Sequence, residues 1–179
     1  MAKITQVCLS GFGGQGIILA GLLLGQAGVT DGRYVSGSSS YGAQARGSDC
    51  TSEIVFSDHP IDYPHLIEAD YLIAMSQKTY DLSSKEVMEG SGLILYDQGI
   101  VTPKEDLKVK QVGFPATEYS VKKLKNKQMA NILLLGAFVE ITKLVSLKAM
   151  KKAMSTHVSE QFKEINLKAL QLGMELARH

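Results

Sequence analysis

The sequence predicts an α/β domain built on an open, mostly parallel sheet, with helices on both faces and a helical C-terminal third. Three observations predict it. At the N-terminus a strand pattern runs straight into a glycine-rich turn and an apolar helix. Short, nearly continuous apolar runs then alternate with polar segments of helical length, as the strands of a parallel sheet do when helices cover both faces. In the last third the strand signals stop and helical periodicity takes over.

Taken in order, "ITQVCLS" (4–10) is the first strand and "GIILAGLLLGQAGV" (16–29) an apolar helix ending near Gly28. "RYVSGSSS" (33–40) reads as a short second strand that runs into a polar loop, and 38–49 as the longest irregular segment. "CTSEIVFS" (50–57) alternates with period two, Ser52, Ile54 and Phe56 facing one way and Glu53, Val55 and Ser57 the other. "DHPIDYPH" is a turn with two prolines. "ADYLIAMS" and "SGLILYD" are buried parallel strands, with a third expected in "DLKVKQVGFP". Between the first two, "SQKTYDLSSKEVMEG" suits a surface helix or two short ones.

The segment 127–145 is apolar on most of its faces, which predicts a helix buried in the core or partly covered by a partner. Ser146 is placed to cap the next helix, "SLKAMKKAM". The final helix carries a stripe of Val158, Phe162, Ile165, Ala169, Leu172 and Leu176, with a second row of Leu167, Leu170 and Met174.

A chain of 179 residues with 45% hydrophobic and 21% charged residues is ordinary for one globular domain, here 1–179. A formal charge of +1 supplies no bulk attraction to nucleic acid or to a membrane surface. Cys8 and Cys50 are the only cysteines and lie far apart. An iron–sulfur cluster takes about four thiolates, so none is expected on this chain. The four histidines lack metal-ligand spacing, and no metal site is expected. "MAKITQVCLS" lacks the basic and apolar segments of a signal peptide, and no stretch reaches the roughly 18 apolar residues of a membrane span. The expected location is the cytoplasm.

Gly11, Gly13 and Gly16 stand at G-x-G-x-x-G, after a strand and before a helix, which makes the start of the sheet Rossmann-like. Such a turn brings backbone close to a phosphate and presents the free N–H groups of a helix N-terminus to an anion. Gly14 and Gln15 complete the turn. The acidic residue that reads a dinucleotide ribose about 20 residues later is missing. That region supplies hydroxyls instead, Ser36, Ser38, Ser39 and Ser40, and no carboxylate before Asp49. Close helix–strand packing is the alternative use of the same glycines. Arg46, bracketed by Gly42 and Gly47 and preceded by Tyr41, could make a bidentate contact to a carboxylate or phosphate. Asp97 follows an apolar strand, where ligand-site residues or turn residues both occur. No catalytic constellation is visible.

Four ordered blocks resemble one family. The turn Gly11–Gly16, the loop Tyr41–Gly47, Asn131 with Leu135, Gly136 and Ala137, and Glu164, Asn166, Ala169 and Gly173 match the pattern of the gamma subunit, or gamma domain, of 2-oxoacid:ferredoxin (acceptor) oxidoreductases. Ser48 departs from it, standing where that family usually has a second glycine. The resemblance implies a subunit of a complex that oxidatively decarboxylates a 2-oxoacid, such as 2-oxoglutarate, pyruvate or a branched-chain 2-oxoacid, to an acyl-CoA. It places thiamine diphosphate with Mg and the iron–sulfur clusters on partner subunits: alpha and beta chains that bind thiamine, and a cluster-carrying delta chain. Ferredoxin is the acceptor. This chain is then structural, with no catalytic residue, and a homodimer in isolation is left open. Gly11, Gly13, Gly14, Gln15, Gly16, Ser38, Ser39, Tyr41 and Arg46 are its candidates for contacting coenzyme A. Two other readings stay open: a subunit of an indolepyruvate-type oxidoreductase, and a free-standing nucleotide-binding dehydrogenase.

Overall fold

The computed structural model describes residues 4–42 and 47–178. Six strands form one sheet: β1 (Ile4–Phe12), β2 (Tyr34–Tyr41), β3 (Asp49–Ser57), β4 (Tyr71–Ala74), β5 (Leu93–Asp97) and β6 (Lys110–Phe114), in the spatial order β2-β3-β1-β4-β5-β6. The β1–β4, β4–β5 and β5–β6 pairs are parallel. β3 runs antiparallel to both of its neighbours, β1 and β2. Only β3 opposes the common direction, because a short connection from β2 can return the chain antiparallel, whereas a parallel return needs a crossover.

This pairing corrects the reading of 38–49 as irregular at its two ends, while 43–46 lie outside the described residues. Ser38–Tyr41 continue β2, and Asp49 opens β3. Serine is a poor strand former alone, but β3 supplies a full ladder from Tyr34↔Ser57 to Tyr41↔Cys50. Strand propensity yields to such pairing. The hydroxyls join it: Ser38 Oγ donates to Glu53 Oε2 at 3.2 Å, and Ser39 Oγ to Ser52 Oγ at 3.4 Å.

The sheet alternates between two cores, as period-two side chains must. Val7, Leu9, Ile73 and Leu95 point into the larger core, and Cys8, Leu72, Ala74 and Ile94 into the smaller. The larger core lies under α1 (Ile17–Thr30), α3 (Ala116–Leu124), α4 (Ala130–Thr142), α5 (Leu147–His157) and α6 (Glu160–Leu176). The smaller is closed by α2 (Gln77–Ser83) and a 3-10 turn at Ser84–Glu86.

The apolar excess of 127–145 is consumed inside the molecule. Every residue from Ala130 to Val139 is buried, so the helix is central rather than partner-facing. It crosses α6 at very short range. A Cβ on Gly136 would stand 2.2 Å from the Leu170 carbonyl oxygen, and one on Gly173 would stand 1.9 Å from that of Leu133. That contact sets the buried face of α6 at Asn166, Ala169, Leu170, Gly173 and Met174. Of the expected stripe, Val158 and Ala169 are buried and Ile165, Leu172 and Leu176 pack against the core, as do Leu170 and Met174 of the second row; Phe162 and Leu167 are the exceptions and are exposed.

Ser146 caps α5 as expected, accepting from the Ala149 N–H at 3.1 Å, and donates its own Oγ to Asp31 at the end of α1. No helix among the described residues is long and apolar enough to cross a membrane.

Candidate functional site

The carboxyl ends of β1, β4, β5 and β6 lie at one edge of the sheet, and the glycine turn sits there. Gly14 and Gly16 adopt left-handed φ values of 99° and 72°. A side chain would be strained at either, so the turn is kept open by residue type. Two backbone bonds tie the turn to the β2–β3 hairpin: the Gly13 N–H donates to the Ser48 carbonyl at 2.8 Å, and the Gly47 N–H to the Gly13 carbonyl at 3.3 Å. The first two blocks of the sequence pattern are thus one structural unit.

Gln15 is a strut. Its Oε1 accepts from the Phe12 N–H at 2.6 Å, and its Nε2 donates to the Met75 carbonyl at 2.9 Å, joining the ends of β1 and β4. Both ends of its amide are engaged. Asn131 holds the turn from the other side, donating from Nδ2 to the Gly16 carbonyl at 3.0 Å. Among the described residues the N–H groups of Gly14 and Gly16 have no acceptor.

Three helices open onto the cleft beside this turn. Gly14, Gly16, Asn131, Ser159, Phe162 and Asn166 are among the lining residues of a space of about 450 Å³. These residues come from the N-terminal ends of α1, α4 and α6. Neither α1 nor α6 has a side-chain cap from its N-cap residue, whereas α2 and α5 are capped by serines, and α4 continues from a 3-10 turn at Lys127–Met129 with its Ile132 N–H donating to Asn131 Oδ1 at 2.8 Å. Uncapped amides and the aligned peptide dipoles make such ends attractive to an anion. A smaller neighbouring space of about 290 Å³ includes Gly13, Thr117 and the exposed Lys127 in its lining, so an ammonium also stands beside the turn.

The wall of the main cleft also holds an unsatisfied acceptor. Asn166 is 3% exposed; its Nδ2 donates to the Phe162 carbonyl at 2.9 Å, and its Oδ1 has no partner. A buried carbonyl left unpaired is unfavourable by about 1–3 kcal/mol. The cleft therefore suits a guest with an anionic group, which the free amides of the glycine turn would meet.

The sequence-predicted residues separate into groups. Gly13, Gly14, Gln15 and Gly16 line the two spaces. Gly11 is buried within β1 opposite Cys50. Ser38 and Ser39 line a different groove, between α1 and β2. Tyr41 ends β2, 68% exposed, and Arg46 lies outside the described residues. Asn166 was legible only as part of a pattern: a polar residue on the buried face of an amphipathic helix is its one local signal.

Asp97 resolves to a turn and cap. Its Oδ1 accepts from the Gly99 N–H at 3.2 Å, and its Oδ2 from the Thr117 N–H at 3.0 Å, capping α3 from the adjacent strand end. Asp49 stands opposite Phe12; its Oδ2 pairs with Lys78 Nζ at 2.7 Å, and its buried Oδ1 has no partner among the described residues. Burial pushes the Cys8 thiol up to about 12 and raises that of Cys50. Among the described residues no three His, Cys, Asp or Glu side chains are grouped to hold a metal ion.

Fold and cleft together define a class: an open α/β domain that offers helix N-termini at the carboxyl ends of its parallel strands. The sequence matches the family described as pyruvate ferredoxin/flavodoxin oxidoreductase over residues 6–176, and the chain belongs to that family. It is a gamma-type subunit of 2-oxoacid:ferredoxin oxidoreductases, and so part of a multi-subunit oxidoreductase. It is 39% identical to a 2-oxoglutarate synthase subunit KorC of Methanocaldococcus jannaschii, over 97% of this chain and 94% of that protein. The crystal structure of the keto/oxoacid ferredoxin oxidoreductase gamma subunit from Geobacter sulfurreducens superposes with a TM-score of 0.87 at 35% identity, over 98% of this chain and 97% of that one. The fold also recurs, at 22% identity and a TM-score of 0.87, within 31% of a chain of the 2-oxoglutarate:ferredoxin oxidoreductase from Magnetococcus marinus, solved with 2-oxoglutarate, coenzyme A and succinyl-CoA bound. These matches support neither the free-standing dehydrogenase nor the indolepyruvate reading.

Proposed function

We propose that this chain holds coenzyme A for a complex that oxidatively decarboxylates a 2-oxoacid, with 2-oxoglutarate first among the candidates, to its acyl-CoA. One observation carries the reading: the N-termini of α1 and α6, neither with a side-chain cap, and the free amides of Gly14 and Gly16 converge on one cleft. A phosphate of coenzyme A sits on the glycine turn, and the rest of the molecule runs along the cleft towards Phe162. The relative from Methanocaldococcus, a 2-oxoglutarate synthase subunit, supports the choice of oxoacid. Thiamine diphosphate with its Mg²⁺ belongs to the alpha and beta subunits, the clusters to a delta subunit, and ferredoxin takes the electrons. The setting is the cytoplasm.

Titration calorimetry of the assembled complex with coenzyme A and with pantetheine tests the phosphate contact. Coenzyme A should bind at least about tenfold more tightly, as expected when charge-assisted bonds to the phosphate are lost. Gln128→Glu, which puts a carboxylate at the mouth of both spaces, should weaken coenzyme A and leave pantetheine unchanged. Equal binding of the two ligands overturns the assignment. Turnover with 2-oxoglutarate, pyruvate and 3-methyl-2-oxobutanoate then decides the oxoacid.

A further inference from the structure

We propose, resting on the placement of coenzyme A at the glycine turn, that Lys127 reads its 3′-phosphate: the ammonium takes that group while the amides of the turn take the pyrophosphate. Lys127 is then the residue that tells coenzyme A from its 3′-dephospho form.

The main cleft and the smaller space are two sides of one turn. Gly14, Gln15 and Gln128 line both. One extended guest can therefore occupy the two together. Their linings differ in charge. Among the described residues no carboxylate lines either space, and Lys127, in the smaller one, is the only side chain of either lining with a permanent charge. Asp97 lies behind Thr117, which lines the smaller space. It is fully buried, and both of its oxygens are engaged, by Gly99 and by Thr117.

Lys127 is anchored through its backbone and free at its head. It opens the 3-10 turn Lys127–Met129, whose Gln128 N–H donates to Asn126 Oδ1 at 3.0 Å. Met129 is buried in the larger core, and α4 follows directly, with Asn131 bonded to the Gly16 carbonyl. One short stretch thus carries both the ammonium and the side chain that holds the glycine turn. Lys127 is exposed, and among the described residues its side chain has no hydrogen-bond or ion-pair partner. Lys122, in the preceding helix, is instead engaged by Glu118 at 2.7 Å.

Coenzyme A carries two anionic groups of different form. Its pyrophosphate is extended and spreads charge over several oxygens, which suits backbone amides at a glycine turn and a helix N-terminus. Its 3′-phosphate is compact and carries about −1.5 to −2 at neutral pH. A lysine meets such a group as a point charge on a flexible stem. The main cleft offers amides, and the smaller space offers the ammonium, so each group has one matching side. Among the described residues the only other titratable side chain of either lining, His157, belongs to the main cleft, on the pyrophosphate side.

Titration calorimetry of the assembled complex with coenzyme A and with 3′-dephospho-coenzyme A reads the contact directly. The unsubstituted complex should bind coenzyme A about tenfold more tightly than the dephospho form. Lys127→Gln should erase most of that preference, weakening coenzyme A about tenfold and the dephospho form less than about twofold. Lys127→Arg keeps the charge and should keep most of the preference. Added salt should shrink the preference in the unsubstituted complex and leave the ratio for Lys127→Gln unchanged. Equal binding of the two ligands by the unsubstituted complex overturns the proposal, and so does an equal weakening of both by Lys127→Gln. The glycine turn survives either result as long as the dephospho form still binds more tightly than pantetheine, which lacks both anionic groups. A dephospho form that binds no better than pantetheine removes the pyrophosphate contact, and the placement of coenzyme A falls with it.

Discussion

Asn131 Nδ2 donates to the Gly16 carbonyl at 3.0 Å, and a Cβ added at Gly16 would lie 2.3 Å from that same nitrogen. The third glycine of the turn is thus fixed from two directions, by its φ of 72° and by a side chain from a helix 115 residues later in the chain. Gly16→Ala should lower stability by about 3 kcal/mol, the sum of left-handed strain and overpacking. Urea unfolding monitors this. In the double variant with Asn131→Ala the crowding disappears and only the backbone strain remains, so the combined loss should fall short of the two single losses added. Additive losses would mean that the two residues are not in contact.

Gly173 and Gly14 make a second contrast. A Cβ on Gly173 meets the Leu133 carbonyl at 1.9 Å, backbone that cannot yield, whereas one on Gly14 meets nothing within 4 Å. Gly173→Ala should force α4 and α6 apart and destabilise by on the order of 3 kcal/mol or more. Gly14→Ala meets only the left-handed φ penalty, about 1–2 kcal/mol. Thermal melts of the two variants should differ accordingly, and equal losses would contradict the close helix crossing.

The outline of the fold was legible because its signals are local. Apolar runs of strand length marked β4 and β5, and the turn glycines marked the start of α1. Strand order was not legible. Whether Ser38–Tyr41 pair or stay loose is decided by β3, which the segment itself does not encode. Along α6 most of the expected apolar rows do face the core, and only Phe162 and Leu167 turn outward, because the glycine crossing with α4 centres the buried face on Ala169, Leu170 and Gly173. At the site, the anion-binding turn followed from glycine spacing alone. Gln15 as a strut could not be inferred, because its two partners lie at the ends of two different strands. Ser38 and Ser39 were grouped with the turn by proximity in sequence, but the strand carries them to the groove under α1.

Both cysteines should be inert in the folded protein. Cys8 and Cys50 are each 4% exposed, and burial raises both thiols, Cys8 to about 12. Thiolate is the reactive form. At mildly alkaline pH a thiol reagent should label neither residue until denaturant is added, and then both. Mass spectrometry of the native protein checks this, and rapid native labelling of Cys8 would show that the smaller core opens.

Glu140, near the end of α4, is held at about 2, well below the ordinary 4.5, first by the hydrogen bond from Arg178 and then by that from Lys143. Its carboxylate lies 3.1 Å from Arg178 Nε and 2.6 Å from Lys143 Nζ, with only 13% of its side chain exposed. A depressed carboxylate stabilises the fold in its charged form. The contribution is therefore complete above the unfolded value of 4.5 and is lost as the pH falls through about 2. Other carboxylates titrate in the same window, Asp81 and Glu164 among those held low. The difference between the protein and Glu140→Gln isolates this one. The urea midpoint of Glu140→Gln should lie below that of the unsubstituted protein at neutral pH, and the gap should close as the pH falls below about 4.5. Arg178 and Lys143 are half exposed or more, so concentrated salt should shrink the same gap at neutral pH. A gap that persists unchanged down to about pH 2 would mean that the lost stability comes from packing of the side chain and not from its charge.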